Sequence, residues 1–592
     1  MKKESLTVLE PGSNRGAVSR SGIVMIATTI ATLTVWAPIA IATELTRTAH
    51  GMVTSAHPLA TQAGLKILQQ GGNAIDAAVA TTLVISVVEP FSAGIGGGGF
   101  LMVHEGKTGK MQALDFRERA PLQAQVNMYL DPIGNVIPKR STDGYLSVAV
   151  PGTIAGLQAA HQRYGKLPWK QVVAPSIVLA KQGFPVSWRF QQAVEMRRSA
   201  LIQHPEAAKI FLPNGITPAI GSRLIQTDLA RTLSTLAMNP SDFYYGKLAI
   251  AIALDMRNQG GLVSEEDLKQ YKPIWRSPLC KYFDRKTDPK PLKICSMPPP
   301  SSGGVHLLQM LNLIGLDDSR KTGWHNPNTI HQMIESMRIA YADRATHLGD
   351  PDFTDVPVQA LISNTYAQTR RQKINSIQAT PSSQVKAADR DLLQRLEKES
   401  SETSHLNVID ADRNAVSLTF TINLGFGAGV VAKGTGIVLN NEMDDFSIAP
   451  NVPNAFGLTG QAFNAIAPRK TPLSSMTPTI VTQDGQVRLA VGAPGGSTII
   501  TTVLQILLNT FAHDMTIQQA ISAPRLHHQW LPDQTRIDRY GFDPLTVEAL
   551  KTRGHTLVEQ EPWGNANGIQ VLPNGDLMGA VDPRGEGSAA GY

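Results

Sequence analysis

The sequence contains very little cysteine: Cys280 and Cys295 are the only two cysteines in 592 residues. Neither residue belongs to a metal-binding spacing pattern. The H-E-x-x-H pattern of zinc peptidases and the G-x-S-x-G elbow of α/β-hydrolases do not occur either. We therefore predict no metal centre and no cofactor, and the chain lacks the signatures of these two hydrolase classes.

Charge is also sparse and unclustered. Charged residues make up 17% of the chain, the formal net charge is +6, and the basic residues are scattered. Proteins that bind nucleic acid usually cluster lysine and arginine, so a nucleic-acid partner is not expected. The hydrophobic fraction of 42% fits a globular protein, and the length predicts two to four domains.

Long hydrophobic runs are limited to residues 22–42, which carry no charged residue. Basic residues precede this run, and it ends in the A-x-A arrangement at 40–42. We therefore predict that residues 1–42 are a signal peptide and that the protein is exported, to the periplasm or the extracellular space. A retained membrane anchor is the alternative, because the run matches the roughly 20 residues that span a bilayer. Its threonines lower the hydrophobicity and favour cleavage.

The two cysteines lie in strand-like runs, residues 277–283 and 291–295, joined by a polar stretch that can close a hairpin. In an exported protein such a pair can form a disulfide, worth about 3 kcal/mol for a loop of this size in the chain-entropy model. Two free buried thiols fit the sequence equally well.

Residues 403–423 show the pattern of an antiparallel hairpin. Apolar and polar residues alternate from 416 to 423, the period of a β-strand, and residues 412–414 supply a turn. Taken alone, this pattern indicates an amphipathic hairpin with one solvent-facing side.

Thr403 could become a nucleophile only at a chain start. A free threonine α-amine has a pKa of ~7.7 to 8.0, so it can accept the hydroxyl proton at neutral pH. The segment 387–402 before Thr403 is polar and rich in charge, as expected of an exposed, cleavable stretch. Cleavage between Glu402 and Thr403 would leave a strand that starts with its own nucleophile and base.

Six blocks in one order make residues 51–592 resemble the γ-glutamyltranspeptidases, or glutathione hydrolases. The blocks are 114–118 (LDFRE), 296–304 (SMPPPSSGG), 403–405 (TSH), 440–446 (NNEMDDF), 472–476 (PLSSM) and 494–497 (PGGS). The resemblance implies an α+β fold, the four-layer αββα sandwich of the N-terminal nucleophile hydrolases, with additional helices in the N-terminal part. It also implies a large subunit, residues 43–402, and a small subunit, residues 403–592, which stay associated as a heterodimer after self-cleavage.

By resemblance, the enzyme would cleave the γ-glutamyl amide of glutathione and related compounds through an ester on Thr403. It would pass the γ-glutamyl group to water or to an amino acid or dipeptide acceptor. The implied catalytic residues are Thr403, Thr421, Gly495 and Gly496, the last two as oxyanion donors. The implied substrate-binding residues are Arg117, Ser474 and Ser475 for the carboxylate and Asn423, Glu442 and Asp445 for the ammonium.

Simpler interpretations of these residues remain. Arg117 could form a surface ion pair, and residues 440–445 could be a solvated acidic loop or a calcium site. The glycine run 94–99 follows a predicted helix and precedes a strand, which is the reverse of a phosphate-binding loop, so a tight turn is expected. Residues 494–498 could be only a capped glycine turn.

Two positions differ among relatives. Glu442 is a glutamine in some of them, which leaves amine recognition in place and its strength open. In the lid-like segment 450–472, Phe456 stands where bacterial members often have tyrosine, so a latch through a hydroxyl is missing. Water exclusion and the balance between hydrolysis and transfer therefore stay open.

Two other functions fit parts of the pattern. A sister amidase, such as a cephalosporin acylase or a poly-γ-glutamate processing enzyme, would share the scaffold but not the need for a free γ-glutamyl end. An exported protein that binds amino acids would share the pocket but remain a single chain without turnover.

Overall fold

A computed structural model describes residues 46–387, 403–449, 452–460 and 462–592. The predicted signal peptide lies outside these residues. So does Glu402, the residue before the predicted cleavage site. Among the described residues, no helix is both long enough and apolar enough to cross a bilayer.

Twenty-one strands are formed by the described residues. They are β1 (Thr46–Thr48), β2 (Met52–Ser55), β3 (Gly98–His104), β4 (Met111–Asp115), β5 (Phe184–Pro185), β6 (Arg223–Leu224), β7 (Ile274–Arg276), β8 (Leu279–Arg285), β9 (Asp288–Ser296), β10 (Ser404–Ile409), β11 (Ala415–Thr421), β12 (Val431–Ala432), β13 (Ile437–Val438), β14 (Thr479–Gln483), β15 (Gln486–Gly492), β16 (Leu526–His528), β17 (Thr535–Asp538), β18 (Leu557–Gln560), β19 (Asn567–Val571), β20 (Leu577–Val581) and β21 (Ser588–Gly591).

Eighteen α-helices are formed by the same residues. They are α1 (Pro58–Gln69), α2 (Ala74–Val88), α3 (Thr153–Tyr164), α4 (Trp169–Gln182), α5 (Trp188–Leu201), α6 (Pro205–Phe211), α7 (Thr227–Met238), α8 (Asp242–Tyr245), α9 (Lys247–Asn258), α10 (Glu265–Gln270), α11 (Gly303–Ile314), α12 (Leu316–Thr322), α13 (Pro327–His347), α14 (Val358–Leu361), α15 (Asn364–Arg371), α16 (Thr498–Phe511), α17 (Ile517–Ser522) and α18 (Pro544–Thr552).

Two seven-stranded sheets form the centre of the fold. The first has the order β1-β20-β19-β15-β14-β9-β8 and the second β21-β2-β10-β11-β3-β4-β7. Strands β10 and β11 pack on β15 and β19 of the other sheet. An apolar cluster fills the space between the sheets, and it includes Met52, Phe100, Met297, Ile480 and Ile569.

Helices cover both outer faces. Helices α1, α2 and α3 pack on the second sheet, and α11, α16 and α17 pack on the first. Each of these interfaces has its own apolar core. Helices α4 and α7 add a further layer outside α2. The arrangement is the expected αββα sandwich with extra helices in the N-terminal part.

The hairpin of residues 403–423 forms as predicted, but its predicted solvent-facing side is wrong. Strands β10 and β11 pair antiparallel, with His405 opposite Thr419, and both are buried along their whole length. The polar side faces the other sheet, where Ser417 Oγ donates to Val491 O at 3.3 Å. Hairpin periodicity could not reveal a second sheet on that side.

The glycine run before β3 is the expected tight turn. An added Cβ at Gly96 would lie 2.1 Å from Val438 O, and one at Gly97 would lie 1.9 Å from Thr421 O. Glycine is therefore required because other backbone segments approach too closely for any side chain. This contact places the turn directly behind the end of β11.

The two cysteines form a disulfide. Cys280 on β8 lies opposite Cys295 on β9, with their Cα atoms 4.1 Å apart. The structure thus selects the disulfide over the two free thiols that the sequence left equally open. Both cysteines lie in the predicted large subunit, residues 43–402.

Candidate functional site

Thr403 lies at the start of β10, beside the end of β11. The pairing of Ser404 with Phe420 brings Thr403 next to Thr421, and their Oγ1 atoms are 3.4 Å apart. The Oγ1 of Thr421 also accepts the N–H of Asn423 at 2.8 Å. Thr403 is only 8% exposed, so the hairpin register holds its hydroxyl in a sheltered position.

A buried histidine two residues further along β10 is neutral. His405 Nε2 lies 3.2 Å from Asn407 Oδ1 and Nδ1 lies 2.8 Å from Thr419 Oγ1. Because Asn407 Nδ2 donates to Asn567, its Oδ1 must accept a hydrogen bond from the N–H at His405 Nε2. Burial lowers the pKa of His405 to about 3. His405 therefore acts as a fixed hydrogen-bonding group within the sandwich and is not available as a base for Thr403.

Nine of the ten predicted site residues line one small cavity of about 20 Å³. They are Arg117, Thr403, Thr421, Asn423, Glu442, Asp445, Ser474, Ser475 and Gly496. The tenth, Gly495, is the neighbour of Gly496 in the chain. The volume is close to that of a single water probe sphere, so the side chains that line the pocket leave little free space between them.

Arg117 pairs with both predicted ammonium-binding acids. Its guanidinium contacts the Glu442 carboxylate and donates from Nη2 to Asp445 Oδ2 at 2.5 Å. Arg117 is only 2% exposed, so a surface ion pair is excluded. Burial alone would lower the pKa of Arg117, but the charges of Glu442 and Asp445 raise it above its ordinary value. In the closed pocket the carboxylate-binding and amine-binding groups satisfy each other.

A third acid, Glu118, completes this cluster and was not predicted to belong to the site. It is fully buried, with one carboxylate oxygen 4.0 Å from Arg117 Nη1. Burial raises the pKa of Glu118 to about 7, against the opposing charge of Arg117. Burial also raises the pKa of Glu442 well above its usual range, and the nearby charges of Glu118 and Asp445 raise it further. Burial thus opposes ionisation of both Glu118 and Glu442.

The acidic stretch 440–445 is neither a solvated loop nor a convergent set of oxygen ligands. Glu442 is 0% and Asp444 2% exposed. Asp444 turns away from the pocket, accepting from Ser141 Oγ at 2.7 Å and from the N–H of Ala455 at 2.8 Å. Next to the stretch, Asn423 donates from Nδ2 to Asn441 O at 3.0 Å.

The proline-rich turn 296–304 orders the serine pair. Ser302 N and Oγ both donate to Ser474 O, each at 2.8 Å, and Ser474 N donates to Pro300 O at 2.9 Å. Sequence analysis assigned no chemical role to this turn. Its position explains the run of small residues there, because an added Cβ at Gly303 would lie 2.4 Å from Thr477 Oγ1.

A second arginine, Arg344 of α13, also lines the pocket. Its Nε donates to Ser302 Oγ at 3.1 Å and its Nη2 to Ser475 Oγ at 3.3 Å. Burial lowers the pKa of Arg344 to about 10, which still leaves it charged at neutral pH. No local motif marks this residue, since it comes from a helix remote in sequence from every block that defined the site.

The loop from β15 to α16 presents the predicted oxyanion donors. Gly495 has φ +132° and Gly496 φ +54°, both in the left-handed region that favours glycine. Within the described residues neither glycine N–H has an acceptor. Ser497 makes no side-chain cap at the start of α16, so a simple capped turn does not describe the loop. The two N–H groups lie where anions are favoured.

Phe456 closes the pocket over Gly496. The ring is 5% exposed, and an added Cβ at Gly496 would lie 2.4 Å from Phe456 Cδ1. No hydroxyl is needed to hold this lid, because Gln529 Nε2 donates to the carbonyls of Phe456 and Gly457, each at 3.3 Å. Gln529 Oε1 in turn accepts from Ser497 Oγ at 2.7 Å. The described part of the lid is thus tied to the start of α16.

The lid-like segment is also tied to Asp445, one of the two acids predicted to bind the ammonium. Asn454 Nδ2 donates to Asp445 Oδ1 at 3.0 Å, and its Oδ1 accepts the N–H groups of Phe456 and Leu458. One residue therefore shapes the lid turn and positions Asp445. Gln529 and Asn454 lie outside every block that identified the site, so sequence reasoning missed both.

Three comparisons bear on this arrangement. The family profile described as gamma-glutamyltranspeptidase matches residues 60–592. The glutathione hydrolase proenzyme of Escherichia coli is 42% identical over 549 residues, covering 92% of each chain. Among solved structures, the cephalosporin acylase of Bacillus halodurans has a TM-score of 0.79 at 29% identity, over 93% of this chain and 97% of that one.

A solved γ-glutamyltranspeptidase gives a similar result. The Helicobacter pylori structure is 42% identical with a TM-score of 0.54, and it covers 56% of this chain and 94% of its own. The profile match extends through the hairpin, the acidic stretch, the serine pair and the glycine loop that meet at the pocket. The chain belongs to the γ-glutamyltranspeptidase family.

Proposed function

We propose that this protein is a self-processing γ-glutamyl transferase and hydrolase acting on glutathione and related γ-glutamyl compounds. The observation that carries the proposal is the meeting of Thr403 with a cluster of fixed, opposite charges in one closed pocket. Glutathione hydrolase proenzymes are among its relatives, which supports the same reaction here.

The pocket charges fit the amino-acid end of a γ-glutamyl compound. An arriving α-carboxylate would take two parallel hydrogen bonds from Arg117, with Ser474 and Ser475 beside it. The ammonium would replace Arg117 as the partner of Glu442 and Asp445, with Asn423 assisting. A zwitterion thus gives Arg117 a new negative partner and the acids a new positive one. A ligand without charged groups would leave both without a partner.

In the proposed reaction, Thr403 Oγ1 forms a bond to the γ-amide carbon while its proton passes to the α-amine of the same residue. The N–H groups of Gly495 and Gly496 stabilise the tetrahedral oxyanion, and one such donor is typically worth about 2.7 to 4 kcal/mol. Thr421 orients the nucleophile. The amine product leaves with the proton, and water or an acceptor amine then attacks the γ-glutamyl ester, restoring Thr403.

The reaction requires cleavage between Glu402 and Thr403, since the α-amine is otherwise part of a peptide bond. The proposed products are a large subunit, residues 43–402, and a small subunit, residues 403–592, held as a heterodimer. Export with removal of residues 1–42 is part of the same proposal. Acceptors are water, amino acids or dipeptides.

The test is the intact mass of the purified protein beside Thr403→Ala. The wild type should show two chains that divide before Thr403 and should hydrolyse glutathione, and the variant should remain a single inactive chain. Thr421→Ser, which keeps a hydroxyl, serves as the matched control and should still divide. A wild type that stays whole after prolonged incubation would favour a binding protein over an enzyme.

Glutaryl amides separate this proposal from an acylase specificity. They keep the scissile bond and one carboxylate but lack the ammonium that Glu442 and Asp445 would hold. We expect kcat/KM for the γ-glutamyl donor to exceed that for the matched glutaryl donor by at least about 10²-fold, as expected when buried charges are left unpaired. Equal values would favour a sister amidase.

A further inference from the structure

Two buried histidines and a glutamate converge outside the catalytic pocket. His331 and Glu335 are one turn apart on α13, and His555 follows α18. One donor atom from each lies within 4.8 Å of the others. All three are buried, with exposures of 2%, 1% and 4%. The i, i+4 spacing places the two α13 side chains on the same helix face.

The hydrogen bonds of His331 leave one nitrogen directed at the cluster. His331 Nε2 lies 2.7 Å from Asn375 O. A carbonyl only accepts, so Nε2 carries the proton and Nδ1 keeps its lone pair. That Nδ1 lies 2.8 Å from His555 Nε2. Metal-binding histidines are commonly oriented in this way, by donating the other ring N–H to a backbone carbonyl.

His555 can become a ligand without changing its charge. In the present arrangement its Nε2–H donates to His331 Nδ1, while its buried Nδ1 has no hydrogen-bond partner among the described residues. Moving the proton to Nδ1 frees the Nε2 lone pair.

We propose that His331 Nδ1, His555 Nε2 and the Glu335 carboxylate bind one divalent transition-metal ion of the Zn²⁺ class. Tetrahedral Zn²⁺ holds nitrogen and oxygen ligands about 3.4 Å apart, so binding needs side-chain movements on the order of 1 Å from the present separations. Two imidazoles and one carboxylate are ligands that such ions accept, with water in the fourth position.

Arg338, next to the site, has a second anionic partner, and His331 also borders an open cleft. Arg338 contacts Glu335 but also donates to Asp533 Oδ1 at 2.7 Å, so it keeps an anionic partner when Glu335 turns to the ion. His331 forms part of the wall of an open cleft of about 870 Å³, together with Gln332 and Arg553. Arg553 is held at the start of α13, where it donates to Asn328.

The ion would join the two subunits. His331 and Glu335 belong to residues 43–402 and His555 to residues 403–592, so this role rests on the proposed cleavage, whereas metal binding itself does not. We expect bound ion to oppose separation of the cleaved chains, because two ligands are on one chain and one on the other.

The first experiment measures binding by metal-stripped, full-length protein. Equilibrium dialysis with Zn²⁺ should give one ion per molecule, and Co²⁺ should give visible d–d absorption that Zn²⁺ abolishes. His331→Ala and His555→Ala should weaken binding beyond the 10–100-fold typical of losing an outer-shell partner. The exposed His50→Gln serves as the matched control and should bind like the wild type. Absence of binding to the wild type, or undiminished binding to both folded alanine variants, overturns the proposal.

Two further variants keep the test decisive. Glu335→Gln preserves shape if an alanine variant fails to fold, and it should still lower affinity at least about tenfold. Uncleaved Thr403→Ala should bind Zn²⁺ as tightly as the wild type, so failure of cleavage and failure of metal binding give different results. In the cleaved wild type, Zn²⁺ should raise the urea concentration that separates the chains, and in His331→Ala it should not.

Discussion

The charged groups of the pocket are matched to each other at the level of single residues. Arg117 faces Glu442 and Asp445, Glu118 lies behind them, and Arg344 supports the serine pair. A buried charge without its partner is costly. Arg117 and its two acids therefore each have an opposite charge beside them, and in the proposed function a zwitterion would enter by exchanging those partners.

Arg117→Lys should raise KM for γ-glutamyl donors at least about tenfold with a smaller effect on kcat. A lysine cannot make the paired contacts of a guanidinium, and it leaves the buried acids less compensated. The measurement is steady-state kinetics together with thermal unfolding. Arg119→Lys is the control, because Arg119 donates to the carbonyl of Lys272 outside the pocket. Equal effects of the two substitutions would contradict the assigned role.

Glu118→Gln should flatten the pH dependence of stability between about pH 4.5 and 7. The Glu118 pKa is raised from its usual 4.5 to about 7 in the folded state, so the folded protein binds more protons than the unfolded chain in that window. This contribution is fully present below pH 4.5 and is lost as pH rises through 7, on the order of 3 kcal/mol in total.

Urea unfolding at several pH values measures this effect. Glu548→Gln, an exposed substitution on α18, should leave the wild-type curve unchanged. A parallel curve for Glu118→Gln would mean that another group titrates in this range.

At the level of elements, the glycine loop before α16, which carries the proposed oxyanion donors, and the lid-like segment are held together. Phe456 packs directly on Gly496. Gln529 donates to the Phe456 carbonyl and accepts from the hydroxyl of Ser497, the residue that precedes α16. The lid can therefore open only if contacts at the start of α16 change. Closure and oxyanion stabilisation are expected to be coupled.

Gly496→Ala should lower kcat/KM by at least about tenfold, because its methyl group would meet the Phe456 ring and φ +54° disfavours alanine. Adding Phe456→Ala should restore part of the loss if the clash with the lid is the cause. The double-mutant cycle of kcat/KM values measures this coupling. Strictly additive losses would show that backbone strain alone is responsible.

Sequence patterns predicted the local parts of this site and missed its distant supports. The hairpin and the turn at 94–99 both follow from periodicity and turn chemistry. The buried polar side of β11 was wrongly expected to face solvent, because alternation does not show what packs on either side. Arg344 and Gln529 reach the pocket through tertiary packing from segments without a motif, so no local pattern marks them.

At the scale of the whole molecule, each of the two sheets contains strands from both proposed subunits. In the second sheet β2 lies between β21 and β10, and β11 pairs with β3. In the first sheet β14 pairs with β9 and β1 pairs with β20. Each sheet is thus completed by strands from both sides of the predicted cleavage site.

The disulfide should have no part in holding the subunits together. Both cysteines precede residue 402, so denaturing gels should show the same two chains with and without reductant. Replacing both by serine should lower the stability of the β8–β9 hairpin by up to about 3 kcal/mol, given the separation of 15 residues. The free energy of unfolding in urea measures this loss. A reductant-dependent single band would contradict the pairing.

Because each sheet combines strands from both proposed subunits, the fold also bears on whether folding or the proposed cleavage comes first. Strand β10, which carries Thr403 at its start, is hydrogen-bonded to β2 on one side and β11 on the other. A subunit made separately would lack partners for strands at the junctions, among them β2, β3 and β9 in one subunit and β10, β11 and β14 in the other. We therefore expect the cut to follow folding of the continuous chain. Dilution should not separate the finished heterodimer, since its dissociation is equivalent to unfolding, and its lifetime is set by a barrier instead of a binding constant.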